Sequence, residues 1–466
     1  MSEQSRLLEK RFSRRRFMQT AGAGASMALL AACVAPAAGP AAQSGGAAAA
    51  PAQEKVALRV THSWDSSFWP RQVEFDDTFN SEHEGIEVTS ENIIWAEYVP
   101  KLTTLAAAGE LPDLMYCQFA WAQRFIMDEA VITLQPFLEK DAEFWGEDDF
   151  NPESLKSYKW DNQLYFIPYD EGPTGLMFYN KDIFDEAGVD YPKADWTFDE
   201  MLDTAIKLTK GEGEDKIWGY DGLPGMGGDL NMAFLAPWGG RWWTEPCETS
   251  SVLDSEESIT ALEWWVSLRL EHNVTPTPAE QATLPGNAFA FGRQAMMKGA
   301  TWNIPWINAS LKANWDIQHY PTGPVTRSCS SMGSGYGITR DTSDNDAAWE
   351  YLRNYLSTEG QIYMWASTGR GSPARWSAWP EWLKSPLAPQ SAMVAQEALE
   401  QYAKHEPLDS PFGKEISDVS QPIWDRAMLG EISVREAVTQ IQEVSSETML
   451  KNQDWASKSF PGECAA

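Results

Sequence analysis

From about residue 55 onward, short apolar, β-branched runs alternate with longer stretches whose apolar residues recur every three or four positions. Val56 to Thr61 and Ile86 to Ile93 read as strands, and Leu114 to Cys117 as a shorter buried one. Gly175 to Tyr179, Ala295 to Lys298, Ile317 to Tyr320 and Tyr336 to Thr339 carry the same signature. Helices fill the intervals. Ala96 to Ala108 ends at Gly109, which suits a left-handed cap. Another helix starts near Trp121, and a third follows Tyr179 and stops at Gly188. Thr197 and Glu200 form a capping-box pattern before Met201, Leu202, Ala205, Ile206 and Leu208. Ser255 precedes a helix striped by Ile259, Leu262 and Val266, and Asp344 or Asn345 caps one carrying Ala348, Leu352 and Tyr355. Such alternation predicts an α/β fold with parallel-rich sheets and helices on both faces.

Residues 1–54 lack this rhythm. Ser13-Arg14-Arg15-Arg16-Phe17-Met18 precedes a weakly apolar stretch that ends in Leu30-Ala31-Ala32-Cys33. The pair of arginines resembles a twin-arginine export signal, and the ending resembles a lipobox in which Cys33 becomes acylated. Thr20 to Ala32 falls short of the roughly 20 apolar residues a membrane span takes. Residues 1–32 are therefore expected to be a lipoprotein signal peptide. Residues 33–54, nearly all Ala, Gly, Pro, Ser and Gln, read as a flexible tether. The expected location is extracytoplasmic, in the periplasm or at the cell surface, anchored to the membrane by lipid.

The net charge of -31 argues against nucleic acid as a partner and against a basic face lying on anionic lipid. The scattered histidines and the spacing of Cys117, Cys247, Cys329 and Cys464 match no zinc pattern, so no metal is expected. No G-x-S-x-G, H-E-x-x-H or phosphate-gripping glycine loop occurs, and no cofactor is expected. An oxidising compartment allows a disulfide. Cys247 with Cys329 is the preferred pair, although four cysteines permit three complete pairings.

Tryptophan is the compositional outlier, at 23 residues, and its flat apolar face suits the C–H face of a pyranose. Trp64, Trp69, Trp95, Trp121, Trp238, Trp242, Trp243, Trp302 and Trp306 mostly follow expected strands, where open α/β sheets bind ligands. Trp264, Trp265, Trp349 and Trp365 have helical surroundings and are expected in the core.

Four blocks in order carry a family resemblance. They are Gly109-Glu110-Leu111-Pro112-Asp113-Leu114, then Tyr165-Phe166-Ile167-Pro168 through Phe178-Tyr179-Asn180-Lys181-Asp182-Ile183-Phe184 to Trp196-Thr197-Phe198-Asp199-Glu200, then Phe291-Gly292-Arg293-Gln294-Ala295-Met296, and finally Gly335-Tyr336-Gly337-Ile338 with Ala347-Ala348-Trp349-Glu350-Tyr351-Leu352. Together they resemble the extracytoplasmic solute-binding proteins of ABC importers, the group that includes maltose-binding protein. The resemblance implies a two-lobed clamshell of class II type with interlobe crossings and a C-terminal helical region. Lobe one would hold 55–170 plus 338–374, and lobe two 171–337 plus 375–466. A monomer would capture a sugar or oligosaccharide in the cleft and deliver it to the permease subunits, without catalysis.

By the same resemblance, Trp302 is the expected stacking aromatic, and Gln118 and Trp121 supply contacts from the loop after the Pro-Asp turn. Asp170 is the expected hydroxyl acceptor, with Glu171 in reserve. Trp64 and Asp65 follow the first strand, Trp238 adjoins a Gly-Gly loop, and Tyr336 and Arg370 sit at crossings. Gln118-Phe119-Ala120 lacks the charged residues of maltose-binding protein, which puts maltose itself in doubt. Two alternatives remain. The same fold could take a polyamine or a glycerol phosphate, or the chain could be a glycosidase. Adjacent Asp170 and Glu171 make a poor acid–base pair for the latter, because neighbours on a strand point apart.

Overall fold

The computed structural model describes residues 55–64, 66, 68–243, 251–284, 286–406 and 411–459. The sequence-predicted strands form at β1 (Val56–His62), β2 (Ile86–Asn92) and β3 (Leu114–Gln118), with a small hairpin of β4 (Lys159–Trp160) and β5 (Gln163–Leu164). They continue with β6 (Ile167–Pro173), β7 (Leu176–Asn180), β8 (Trp218–Asp221), β9 (Gln294–Gly299), β10 (Trp315–His319), β11 (Cys329–Ile338) and β12 (Ala403–Lys404).

These strands build two lobes with separate cores. The first sheet has the order β12-β11-β3-β1-β2, with β6 also pairing to β11. Its core gathers Leu58, Val60, Tyr98, Leu102, Tyr116, Phe166, Tyr336, Leu352 and Trp365. The second sheet, β10-β7-β9-β8, lies in a core with Phe178, Met201, Leu262, Trp265, Ile317, Trp382 and Trp424. All five side chains of β7 are buried, as a strand covered on both faces requires. The helices Gly413–Met428 and Val434–Ser459 pack together and extend the second lobe.

Local chemistry explains the helix boundaries. Gly109 and Gly188 adopt φ of 68° and 65°, the left-handed conformation that ends a helix and that only glycine takes freely. The Thr197 hydroxyl accepts from the Glu200 amide while the Glu200 carboxylate accepts from the Thr197 amide, which completes the capping box before Phe198–Leu208.

The parallel-rich expectation needs correction. β1, β2 and β3 are parallel, but β11 runs antiparallel to both β3 and β6, and β7 runs antiparallel to β9 and β10. β8 pairs parallel with β9 and β11 with β12, so both sheets mix the two directions. β6 leads from the first sheet toward β7 in the second, and β11 returns from β10 to the first, so these two run in opposite directions. The expected strand from Tyr336 is the end of the longer β11, which pairs with β6 from Ser331 to Tyr336.

Candidate functional site

Three segments meet where the lobes join: β6, β11 and residues 371–374. Asp170 pairs with Ser334 across β6 and β11, and it also bridges to Pro373. The Glu171 amide donates to the Ser372 carbonyl at 3.2 Å, and the Ala374 amide donates to the Tyr169 carbonyl at 3.2 Å. Such close passage needs a glycine. A Cβ on Gly333 would stand 2.0 Å from the Asp170 carbonyl oxygen.

Asp170 accepts a hydrogen bond from the Ser334 amide at 2.7 Å. Burial pushes its carboxyl up to about 7, against the opposing pull of the Ser334 amide and the Arg370 charge. Arg370 lies over a nest of rings, 4.3 Å from Phe68, 5.1 Å from Trp64 and 5.7 Å from Trp365. Below it, Trp365 stacks on Phe68 at 4.9 Å and on Tyr169 at 4.6 Å. Trp302, 40% exposed, adjoins this patch. Its ring would lie 3.3 Å from a Cβ on Gly172, and its Cα 3.7 Å from one on Gly371.

The first lobe contributes a second aromatic surface beyond β3. Gln118 ends β3 and precedes helix Phe119–Met127, placing Trp121 in that helix's first turn. Trp121 packs on Trp95 at 4.6 Å and stacks on Tyr98 at 5.8 Å. Trp95 opens helix Trp95–Ala108 and is 53% exposed. From the second lobe, Lys298 near the end of β9 pairs with Asp229, both mostly buried.

The crossing also carries buried carboxyls. Glu171 accepts from Asn151 Nδ2 at 2.8 Å and from the Ser331 hydroxyl, and burial pushes it up to about 8. Glu406 accepts from Ser330 Oγ at 2.6 Å and Asn231 Nδ2 at 2.7 Å, and burial pushes it up to about 7. Each ties β11 to another element.

The structure therefore brings together Asp170, Arg370 and Trp302, with Gln118 and Trp121 across the sheet. Trp64 belongs to the nest but is nearly buried, and it meets the site through Arg370 above its ring. Two expected residues stand elsewhere. Trp238 is packed among Phe198, Trp264 and Trp265 in the second core, so its faces are already covered. Tyr336 is fully buried and shares a hydrogen bond with His62, because it points from β11 into the first core. Of the remaining loop tryptophans, Trp242 and Trp243 stack on each other inside the second core. Asp65, Cys33 and Cys247 lie outside the described residues. Cys329 is a buried free thiol, so no disulfide forms at that position in the structure. Phe68, Tyr169 and Trp365, which the sequence does not mark for the site, form the buried rings beneath Arg370. Trp365 has a helical context that reads as core, and it is core, with Arg370 over its buried ring.

Among the described residues no group of His, Cys, Asp and Glu is arranged to hold a metal ion. A cavity of about 920 Å³ lies in the first lobe among Phe75, Asp141, Arg353 and Arg375, and none of the expected site residues line it. No described helix is long and apolar enough to cross a membrane.

Residues 66–362 match the family model of bacterial extracellular solute-binding proteins. A putative binding protein of Brucella abortus is 25% identical over 292 residues, covering 60% of this chain and 66% of that protein. An arabinooligosaccharide-binding protein of Halalkalibacterium halodurans is 25% identical over 247 residues, 50% of this chain and 52% of that protein. The match thus spans under two thirds of the length of these relatives. A Listeria monocytogenes ABC substrate-binding protein, solved with cycloalternan, superposes with a TM-score of 0.76 at 22% identity, covering 85% of this chain and 99% of that one.

Proposed function

The chain belongs to the bacterial extracellular solute-binding proteins, and from that premise we propose that it captures a sugar or oligosaccharide between its lobes for an ABC importer. The carrying observation is the exposed Trp302 ring beside Asp170 and Arg370, where three segments linking the lobes meet. An indole offers an apolar face to a pyranose, while a carboxyl and a guanidinium accept from and donate to its hydroxyls. Cleft closure would add contacts from both lobes. The arabinooligosaccharide-binding relative points to the same ligand class.

Charge pairing favours this reading over the alternatives. Arg370 acts on Asp170, Lys298 pairs with Asp229, and Glu171 and Glu406 are buried among neutral Asn and Ser donors. A polyamine would need unpaired carboxylates and a phosphate unpaired cations, whereas an uncharged polyhydroxylated ligand needs neither. The role is binding without catalysis, and the site includes Asp170, Arg370, Trp302, Gln118 and Trp121. A lipid on Cys33, with residues 33–54 as tether, would hold the receptor at the membrane beside its permease.

Intrinsic fluorescence titrated with mono- and oligosaccharides tests the ligand class. Saturable quenching by a sugar, shifted to about tenfold higher concentration in Trp302→Ala, is the expected result. A response to polyamines with none to any sugar would reject it, and steady release of product from oligosaccharides would reject the non-enzymatic role.

A further inference from the structure

Two adjacent serines of β11 serve opposite sides of the junction between the lobes. Successive side chains of a strand point to opposite faces, so Ser330 and Ser331 look away from each other. The Ser331 hydroxyl donates to Glu171, and the Ser330 hydroxyl donates to Glu406 at 2.6 Å. From these carboxyls the ties run to different lobes. Glu171 accepts from Asn151 Nδ2, and Asn151 caps helix Pro152–Lys156, whose Leu155 belongs to the first core. Glu406 accepts from Asn231 Nδ2 and from the Asn231 and Met232 amides at 3.3 and 3.2 Å, in the helical turn Leu230–Leu235 of the second core. His405, next to it in the chain, reaches back to the first lobe. Its amide donates to Glu153 at 2.9 Å, and its Nδ1 lies 3.2 Å from Ser157 Oγ.

Both carboxyls are buried, and the partners named are neutral donors. On the elements packed against Glu406, the charged groups are Asp229, held by Lys298 of β9, and Glu153, paired with Lys156. Burial holds His405 down at about 4 and pushes Cys329 up to about 12, so both are uncharged near neutral pH. On those packed against Glu171, they are Asp170 with Arg370, the same Glu153 and Lys156, and Glu397, which meets His319. A carboxylate held by neutral donors alone is costly to bury, whereas a protonated carboxyl is not.

We propose that Glu171 and Glu406 form a proton-operated clamp on the lobe junction: as neutral carboxyls they hold β11 to both lobes, and loss of their protons lets water into the junction. Opening returns each carboxyl toward 4.5 from its buried value of about 8 or about 7. It therefore releases protons and becomes easier as pH rises from about 4.5 to about 8, then levels off once both states are charged. The clamp acts whichever solute the cleft takes, and capture that needs a fixed lobe orientation inherits its pH dependence.

Hydrogen exchange read by mass spectrometry on the full chain without ligand tests it, with rates corrected for the chemical effect of pH. Protection in peptides spanning β6, residues 329–334 and residues 403–406 should fall about tenfold or more between about pH 5.5 and about pH 7.5, then level off above about pH 8. Peptides from β1 and from helix Phe198–Leu208 should keep theirs. Glu171→Gln with Glu406→Gln mimics the protonated pair and should remove most of the fall. Ser330→Ala with Ser331→Ala takes one donor from each carboxyl, which should move the fall to higher pH. A fall shared equally by all peptides, a fall unchanged in the double Gln variant, or none in the unaltered protein overturns the clamp. Each of these outcomes leaves the carbohydrate reading standing, because no sugar enters the experiment.

Discussion

Each lobe holds a nest of aromatic rings, and the two nests are built alike. In the first, Trp64, Phe68, Tyr169 and Trp365 approach at centroid distances of 4.6 to 5.5 Å. In the second, Phe198, Trp238, Trp264, Trp265 and Tyr320 do so at 4.7 to 5.7 Å. Their roofs differ. The segment carrying Arg370 passes over the first nest and sets a guanidinium on it, beside Asp170. In the second, Trp265 Nε1 donates to the Phe234 carbonyl at 3.1 Å. Aromatic density alone builds a core. A polar segment laid across it makes the same rings the floor of the proposed site.

The comparison can be broken most directly at Trp265. Trp265→Ala empties a fully buried position and should cost about 3–5 kcal/mol of stability in urea unfolding, with sugar affinity of the folded fraction retained. Affinity lost at unchanged stability would show that the second nest also serves the ligand. Next in size is Gly333→Ala, which drives a methyl into the Asp170 carbonyl and should lower stability by about 1–3 kcal/mol. Sugar affinity should fall with it, because the shifted strand carries Asp170; calorimetry on the variant reads both. Trp302→Ala is the converse case. It should weaken sugar binding about tenfold while moving stability by no more than about 0.5 kcal/mol.

The most gradual effect is with pH, and it concerns the strands joining the nests. Glu171 and Glu406 sit above their ordinary value of 4.5, at about 8 and about 7, because burial disfavours the carboxylate. The folded state then binds more protons than the unfolded one across that window. Their contribution is fully present below about 4.5 and is lost as pH rises through 7 to 8. Urea midpoints should decline over that interval, and Glu171→Gln should flatten the decline. An unchanged slope in that variant would reject Glu171 as a source.

Much of the fold was legible because its signals are local. Gly109 and Gly188 end helices through their own backbone freedom, and Thr197 with Glu200 closes a cap within one turn. Strand positions followed from runs such as Leu176–Asn180. Strand direction was less legible, since β6 and β11 take theirs from the chain's outward and return passages between the two sheets. The site was partly legible. Asp170, Arg370 and Trp302 converge, whereas Trp238 and Tyr336 were assigned from loop or crossing context and lie in the cores.

The chain alone determined the elements, their caps, the acidic balance and the family. Each depends on residue type and on neighbours a few positions away, or on ordered motifs along the chain. Only the tertiary structure decided which tryptophans face solvent. Exposure depends on what distant segments lay over a ring, and Arg370 reaches Trp64 from the far side of the sequence. Trp95 and Trp302 stay exposed because no described segment covers them.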